Sequence, residues 1–333
     1  MHRIFICILG LCLLFVSPVQ GKTEKIVQTS QIYTYEKMLK DLYLLSEKYP
    51  NFIEYKTIGK STLGKEIPAI KLGAGKQHVL FVGSHHGREW LTSTLLMKMI
   101  ESYSEAYYQH TKVGQFDPRI LDEVSIWFVP MLNPDGVDIQ QKGMLAFPLI
   151  HQQLLLEMNG NDLNFKKWKA NGIGIDLNRQ YPAGWKEIKG DHPFQSYQYY
   201  KGTQPLEAVE VNALVRFILE EDPLISVAYH SAGRVIYWAY KNDKNNVNRD
   251  KAIASKLSTL TGYSLAKPPK TAVGGGLTDW FITHYKRPAY TIEIGYRVKE
   301  TNLPLSIFPE VWKRNNGVGL MIAEQAKVIK PLN

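Results

Sequence analysis

The chain has 333 residues, 44% of them hydrophobic, and no repeat or low-complexity tract, which excludes the disordered and fibrous classes and suffices for one large core. Its net charge is +9 with the lysines scattered; a solvated surface is the bland explanation, and attraction to anionic polymers such as bacterial wall material is the functional one. Nothing in it resembles a nucleic-acid module, so that partner is excluded.

Residues 1–21 follow different rules from the rest. Met1, His2 and Arg3 form a short basic start, thirteen mostly apolar residues follow as IFICILGLCLLFV, and Val19-Gln20-Gly21 offers small residues for cleavage. The segment reads as a secretory signal, because it is shorter than the ~20 residues that span a bilayer. The expected mature chain, 22–333, is one domain without a membrane span, located outside the cell and free to associate with the wall. Cys7 and Cys12 are the only cysteines and both lie in the leader, so no disulfide is expected in the mature chain.

Residues 35–50, YEKMLKDLYLLSEKYP, place apolar side chains at helical spacing, and FIEYKTIGKS and KEIPAIKLG around TLG then read as a hairpin. HVLFVG is a short, fully apolar strand, residues 90–103 a helix, and EVSIWFVP a second buried strand. PLEAVEVNALVRFILEE is predicted as an amphipathic helix with Pro205 near its start. LISVAYH, RVIYWAY and PAYTIEIG supply further strands, and residues 308–328 a closing helix. Strands alternating with helices predict the α/β class: a mixed, mostly parallel twisted sheet with helices on both faces, its reactive residues gathered beyond the strand ends.

The chemistry begins at GSHHGREW, directly after the apolar strand HVLFV. His86 and Glu89 are three residues apart, so one turn puts both on one side, and zinc accepts imidazole nitrogen and carboxylate oxygen alike. In a chain with nine histidines the pair alone is weak, and a surface ion pair explains it equally. A catalytic zinc site needs a third protein ligand. His230 ends the apolar strand LISVAYH, repeating the same context. Glu293 lies inside PAYTIEIG between Ile292 and Ile294, where a carboxylate is costly without a partner or a task; a buried ion pair with Arg287 or Arg297 is the structural alternative.

With these residues in view, the chain resembles the carboxypeptidase A-like zinc metallopeptidases along nearly its whole length after residue 30. HHGREW, MLNPDG, GIDLNRQYPAGW, YHSAG and TIEIG match that family's motifs in order and spacing. The resemblance implies one Zn2+ per chain held by His86, Glu89 and His230, with Glu293 as general base and Asn178 and Arg179 holding a substrate carboxylate. The chemistry agrees: Glu293 can take a proton from water and return it to the leaving amine, and Arg179 can meet a carboxylate with two parallel hydrogen bonds that a lysine cannot reproduce. Arg88, beside the ligands, extends an electropositive floor for substrate; a bridge to a neighbouring acid is its bland reading.

The sequence departs from the animal digestive members in three places. Where they carry an oxyanion-steadying arginine after a tryptophan, Trp168 is followed by Lys169, which keeps the charge and loses the fork. Their mobile tyrosine has no counterpart in TAVGGGLTDW, where Thr271 is near the aligned place, and the position that sets their side-chain preference is Thr278. A small polar residue suits a polar or zwitterionic side chain. Bacterial members that cut γ-D-glutamyl bonds to diamino acids are similar in WKAN and DLNRQYPAGW, and meso-diaminopimelate fits such a pocket. No propeptide or wall-binding repeat is expected. The expected function is therefore a secreted zinc peptidase acting on muropeptides. A broad metallocarboxypeptidase releasing C-terminal residues and a non-catalytic wall-binding protein with a retained zinc site stand as the alternatives.

Overall fold

The computed structural model describes residues 25–266 and 274–329. The leader, its two cysteines and Thr271 lie outside the described residues. The described chain forms an eight-stranded sheet in the order β1-β2-β4-β3-β5-β8-β6-β7.

The strands β1 (Ile53–Lys60) and β2 (Glu66–Leu72) form the antiparallel hairpin that the sequence predicts, and β2 also pairs antiparallel with β4 (Val124–Val129). The centre is parallel: β4 pairs with β3 (Gln77–Val82), β3 with β5 (Ile225–Ser231), and β5 with β8 (Ala289–Ile294). At the other edge β6 (Val235–Tyr237) runs antiparallel to β8 and carries β7 (Ser264–Ala266).

The apolar runs in β3, β4 and β5 follow from coverage on both faces. Val79 and Phe81 point into a core under α1 (Tyr35–Lys48), α2 (Leu91–Tyr108), α6 (Val247–Thr261), α8 (Phe308–Asn315) and α9 (Val318–Lys327). Leu80 and Val82, one residue out of phase, point into the core under α5 (Val209–Glu221) and α7 (Leu277–Tyr285). Each such fully buried side chain contributes roughly 1.5–3 kcal/mol, so a polar residue at either phase of β3 would be strongly destabilising.

Two sequence expectations are corrected. The helix expected from Pro205 starts at Val209, because Glu207 turns back to accept the backbone N–H of Thr203 at 2.6 Å, and Leu206 adopts φ +61°. The single closing helix is two, α8 and α9, divided at Gly317; a Cβ there would come within 2.7 Å of the Phe116 ring. Helices α3 (Pro134–Lys142) and α4 (Leu149–Met158) were not anticipated.

The Asn-Pro-Asp-Gly segment opens α3 and has a positional task. Asn133 Oδ1 accepts the N–H of Gly136, while its amide donates to His85 O at 3.1 Å and to Ala170 O at 3.0 Å. One side chain thus caps a helix and joins three segments. Gly87 follows from the same packing, since a Cβ there would lie 2.2 Å from Gly136 O.

Candidate active site

Because β3, β5 and β8 are parallel, their C-terminal ends share one edge of the sheet. His86 follows β3, His230 lies at the end of β5, and Glu293 sits opposite His230 in the β5–β8 ladder. Residues Gly87–Glu89 make a single 3-10 turn before α2, which swings Glu89 back beside His86.

His86, Glu89 and His230 are buried and converge. Glu89 Oε1 lies 2.9 Å from His86 Nδ1, Glu89 Oε2 lies 2.9 Å from His230 Nδ1, and the two Nδ1 atoms are 3.2 Å apart. Zinc–nitrogen and zinc–oxygen bonds of about 2.0–2.1 Å set tetrahedral ligands roughly 3.3 Å apart, so this triangle fits one zinc ion. Burial alone would raise the Glu89 carboxyl, but His86 and His230 outweigh it and hold the group well below the usual range.

Asp176 is the residue that sequence reasoning passed over, although the segment containing it was singled out. Fully buried, it accepts from His86 Nε2 at 3.0 Å, which leaves the His86 Nδ1 lone pair for a metal. Its other oxygen lies 3.1 Å from Lys169 Nζ and 3.6 Å from Arg179 Nε. Burial would raise this carboxyl too; Lys169, His86 and Arg179 hold it well below its usual value. Only the three-dimensional gathering of cations around an irregular segment reveals it.

The remaining expected site residues line one cavity of about 380 Å3 with the three ligands. Asn178 Oδ1 accepts the N–H of Leu277 at 3.2 Å, and the Arg179 guanidinium lies 5.1 Å above the Tyr199 ring. Thr278 Oγ1 meets Thr291 Oγ1 at 2.7 Å. Arg88 Nη1 donates to Lys167 O at 3.1 Å and reaches Gln198 Oε1 at 3.4 Å; it is not bridged to an acid among the described residues.

The Glu293 side chain faces the same cavity and, among the described residues, its carboxylate makes no hydrogen bond or ion pair. The buried-pair alternative is removed for Arg287, which binds Asp222 at 2.7 Å. Burial pushes the Glu293 carboxyl up to about 7, Glu89 adds to this, and His230, Lys169 and Arg88 oppose it. A carboxyl free of partners, opposite a ligand and tuned near neutrality, suits proton transfer.

A profile of the family described as zinc carboxypeptidase matches residues 38–316. The chain belongs to the zinc carboxypeptidase family. It is a metallopeptidase by that membership, and its His-Glu-His cluster is the group that can bind the zinc. Among similar proteins, gamma-D-glutamyl-L-diamino acid endopeptidase 1 of Lysinibacillus sphaericus is 32% identical over 90% of this chain and 74% of its own. The uncharacterised YqgT of Bacillus subtilis is 30% identical over 91% of this chain and 81% of its own. Among solved structures, thrombin activatable fibrinolysis inhibitor superposes with a TM-score of 0.74 at 16% identity, covering 92% of this chain and 78% of that one. Carboxypeptidase A of Helicoverpa armigera superposes at 0.69 with 17% identity, covering 92% of this chain and 77% of that one. At those identities the likeness shows the zinc carboxypeptidase fold alone.

Proposed function

We infer that this zinc carboxypeptidase hydrolyses the γ-D-glutamyl bond to a diamino acid, meso-diaminopimelate, in bacterial wall peptides, and that it does so outside the cell. The observation that carries the substrate choice is the polar Thr278–Thr291 pair in the cavity wall, joined at 2.7 Å. The two hydroxyls bond each other and keep further hydrogen-bonding capacity, which the distant ammonium and carboxylate of a diamino acid can engage and an apolar side chain cannot. The name of the Lysinibacillus relative supports the same chemistry.

His86, Glu89 and His230 hold the zinc. When bound, it supplies Lewis acidity that lowers the pKa of water and polarises the scissile carbonyl. Glu293 takes a proton onto its carboxylate from the attacking water and delivers it to the leaving amine nitrogen. Arg179 and Asn178 bind the carboxylate on the leaving side. Lys169 uses one of its three ammonium donors on Asp176, which backs the orientation of His86, and keeps the others for a developing oxyanion at the cavity wall.

The test is incubation of the zinc-loaded protein with purified muropeptides and with ordinary peptides, read by mass spectrometry. Release of diaminopimelate-containing fragments from muropeptides is expected. Loss of C-terminal residues from ordinary peptides with muropeptides left intact would replace this reading by a general carboxypeptidase.

A further inference from the structure

Two aromatic rings accompany the lysines that lead into the site. Lys167 and Lys169 are two residues apart, as are Tyr197 and Tyr199, and the stretches are joined because Lys169 N and Ala170 N both donate to Tyr197 O at 2.9 Å. Lys167 Nζ lies 4.6 Å from the centre of the Tyr197 ring, and Lys169 Nζ lies 4.9 Å from that of Tyr199. The Arg179 guanidinium lies 5.1 Å from the same Tyr199 ring. One ring thus serves both of the cavity cations that surround Asp176.

The two cations are not held alike. Lys169 Nζ donates to Asp176 Oδ2 at 3.1 Å. Arg179 Nε stands 3.6 Å from the same oxygen, outside hydrogen-bond distance, and is buried without a hydrogen-bond partner among the described residues. Tyr199 N takes a further share of that oxygen, donating to it at 3.3 Å. The aromatic face attracts the guanidinium through its quadrupole and leaves the N–H fork uncommitted. A second carboxylate in that place would compete with a substrate carboxylate for the same donors.

The Tyr199 backbone points the same way. Its φ is +69°, a left-handed conformation that a bulky aromatic residue adopts only where surrounding contacts impose it. The turn brings the N–H to Asp176 and the ring to Lys169 and Arg179, while Tyr199 O accepts from His192 N at 3.1 Å. Lys169 and Arg179 line the cavity and Tyr199 does not, so the ring acts on substrate through them.

We propose that Tyr199 is a positioning residue for recognition of the leaving-side carboxylate, its ring face holding Arg179 at the cavity wall without neutralising it. This rests on the assignment of Arg179 to that carboxylate and is independent of the wall-peptide choice. Because Lys169 has its own bond to Asp176, loss of the ring falls mainly on Arg179, and so on binding.

The experiment measures kcat and KM for zinc-loaded wild type, Tyr199→Phe, Tyr199→Leu and Tyr199→Gly. The substrates are γ-D-glutamyl-diaminopimelate and an N-blocked dipeptide, each with the carboxylate beside the scissile nitrogen free or amidated. Tyr199→Phe keeps the aromatic face, Tyr199→Leu keeps bulk without it, and Tyr199→Gly removes the ring together with the left-handed strain. Thermal unfolding and zinc content verify that each variant is folded and loaded. Tyr199→Leu and Tyr199→Gly should raise KM for the free acid by about fivefold or more, with kcat within about threefold and KM for the amide within about twofold of wild type. Tyr199→Phe should match wild type within about twofold. An unchanged KM for the acid in Tyr199→Leu and Tyr199→Gly, an equal rise for acid and amide, or a Tyr199→Phe variant as impaired as Tyr199→Leu overturns the positioning role. Equal KM for acid and amide in the wild type overturns the Arg179 assignment and this inference with it. Cleavage of the dipeptide alone overturns the wall-peptide function and leaves the positioning role to be decided on the dipeptide by the same criteria; cleavage of neither substrate overturns both.

Discussion

Two groups of buried acids show what separates a structural carboxylate from a functional one. Under the hairpin turn, Glu210 accepts from Thr62 N and Thr62 Oγ1, both at 2.9 Å, and from Asn171 Nδ2 at 3.2 Å; Asp135 accepts from Leu63 N at 2.8 Å with Lys65 nearby. Burial raises both carboxyls, and fixed donors compensate. At the strand ends, Glu293 is also raised by burial but, among the described residues, has no such donors. The fold uses the first pair to hold β1 and β2 against α3 and α5. It leaves Glu293 open to the cavity, so burial cost by itself does not mark function, whereas an unmet hydrogen-bonding capacity does.

The comparison breaks first at the metal centre. Replacing His86, Glu89 or His230 by Ala should take bound zinc from one per chain toward none, read by metal analysis after dialysis, since two ligands leave too few donors. Unchanged zinc in all three variants would return these residues to a structural cluster. Next, Glu293→Gln should keep zinc and substrate affinity while lowering kcat by roughly 10²–10⁴-fold, with no loss of thermal stability. Retained activity within about tenfold would assign proton transfer elsewhere.

Asp176→Asn sharpens the boundary between the groups, because Asp176 is as fully hydrogen-bonded as Glu210 yet touches a ligand. Zinc affinity measured against a chelator should weaken by about 10–100-fold. Glu210→Ala should do the opposite: lose about 1–3 kcal/mol in denaturant unfolding, leaving Thr62 N without its acceptor and Asn171 Nδ2 with Thr62 Oγ1 alone, and keep kcat per folded molecule. The smallest effect concerns Asp279, whose burial raises its carboxyl from 3.8 to about 7. The stability this group contributes is full below about 3.8 and is lost as pH rises through about 7. Asp279→Asn should therefore flatten the fall in stability across that window, as followed by unfolding midpoints against pH.

Legibility in the sequence followed the range of the interactions. The helix over residues 35–50, the hairpin and the parallel core strands were readable because periodicity is local, and helix α1, β1, β2 and β3 lie within a residue or two of expectation. The start of α5 was misread because the Glu207 side chain competes with helical continuation, a contact that composition does not display. The glycine at 317 answers to a distant residue as well, since a Cβ there would come within 2.7 Å of Phe116, some two hundred residues earlier.

For the site, the sequence by itself determined the donor types: His86 and Glu89 within one turn, His230 and Glu293 at apolar strand ends, and Asn178-Arg179 in a motif of recognisable order. Their convergence was decided by the tertiary structure, because parallel pairing of β3, β5 and β8 brings strand ends distant in sequence to one edge and sets His230 across from Glu293. Tertiary structure alone also distinguished the paired cations Lys169 and Arg179 from Arg88, and made Asp176 the acid behind His86. Charge pairing depends on distances between segments that have no fixed spacing along the chain, and only the folded sheet sets those distances.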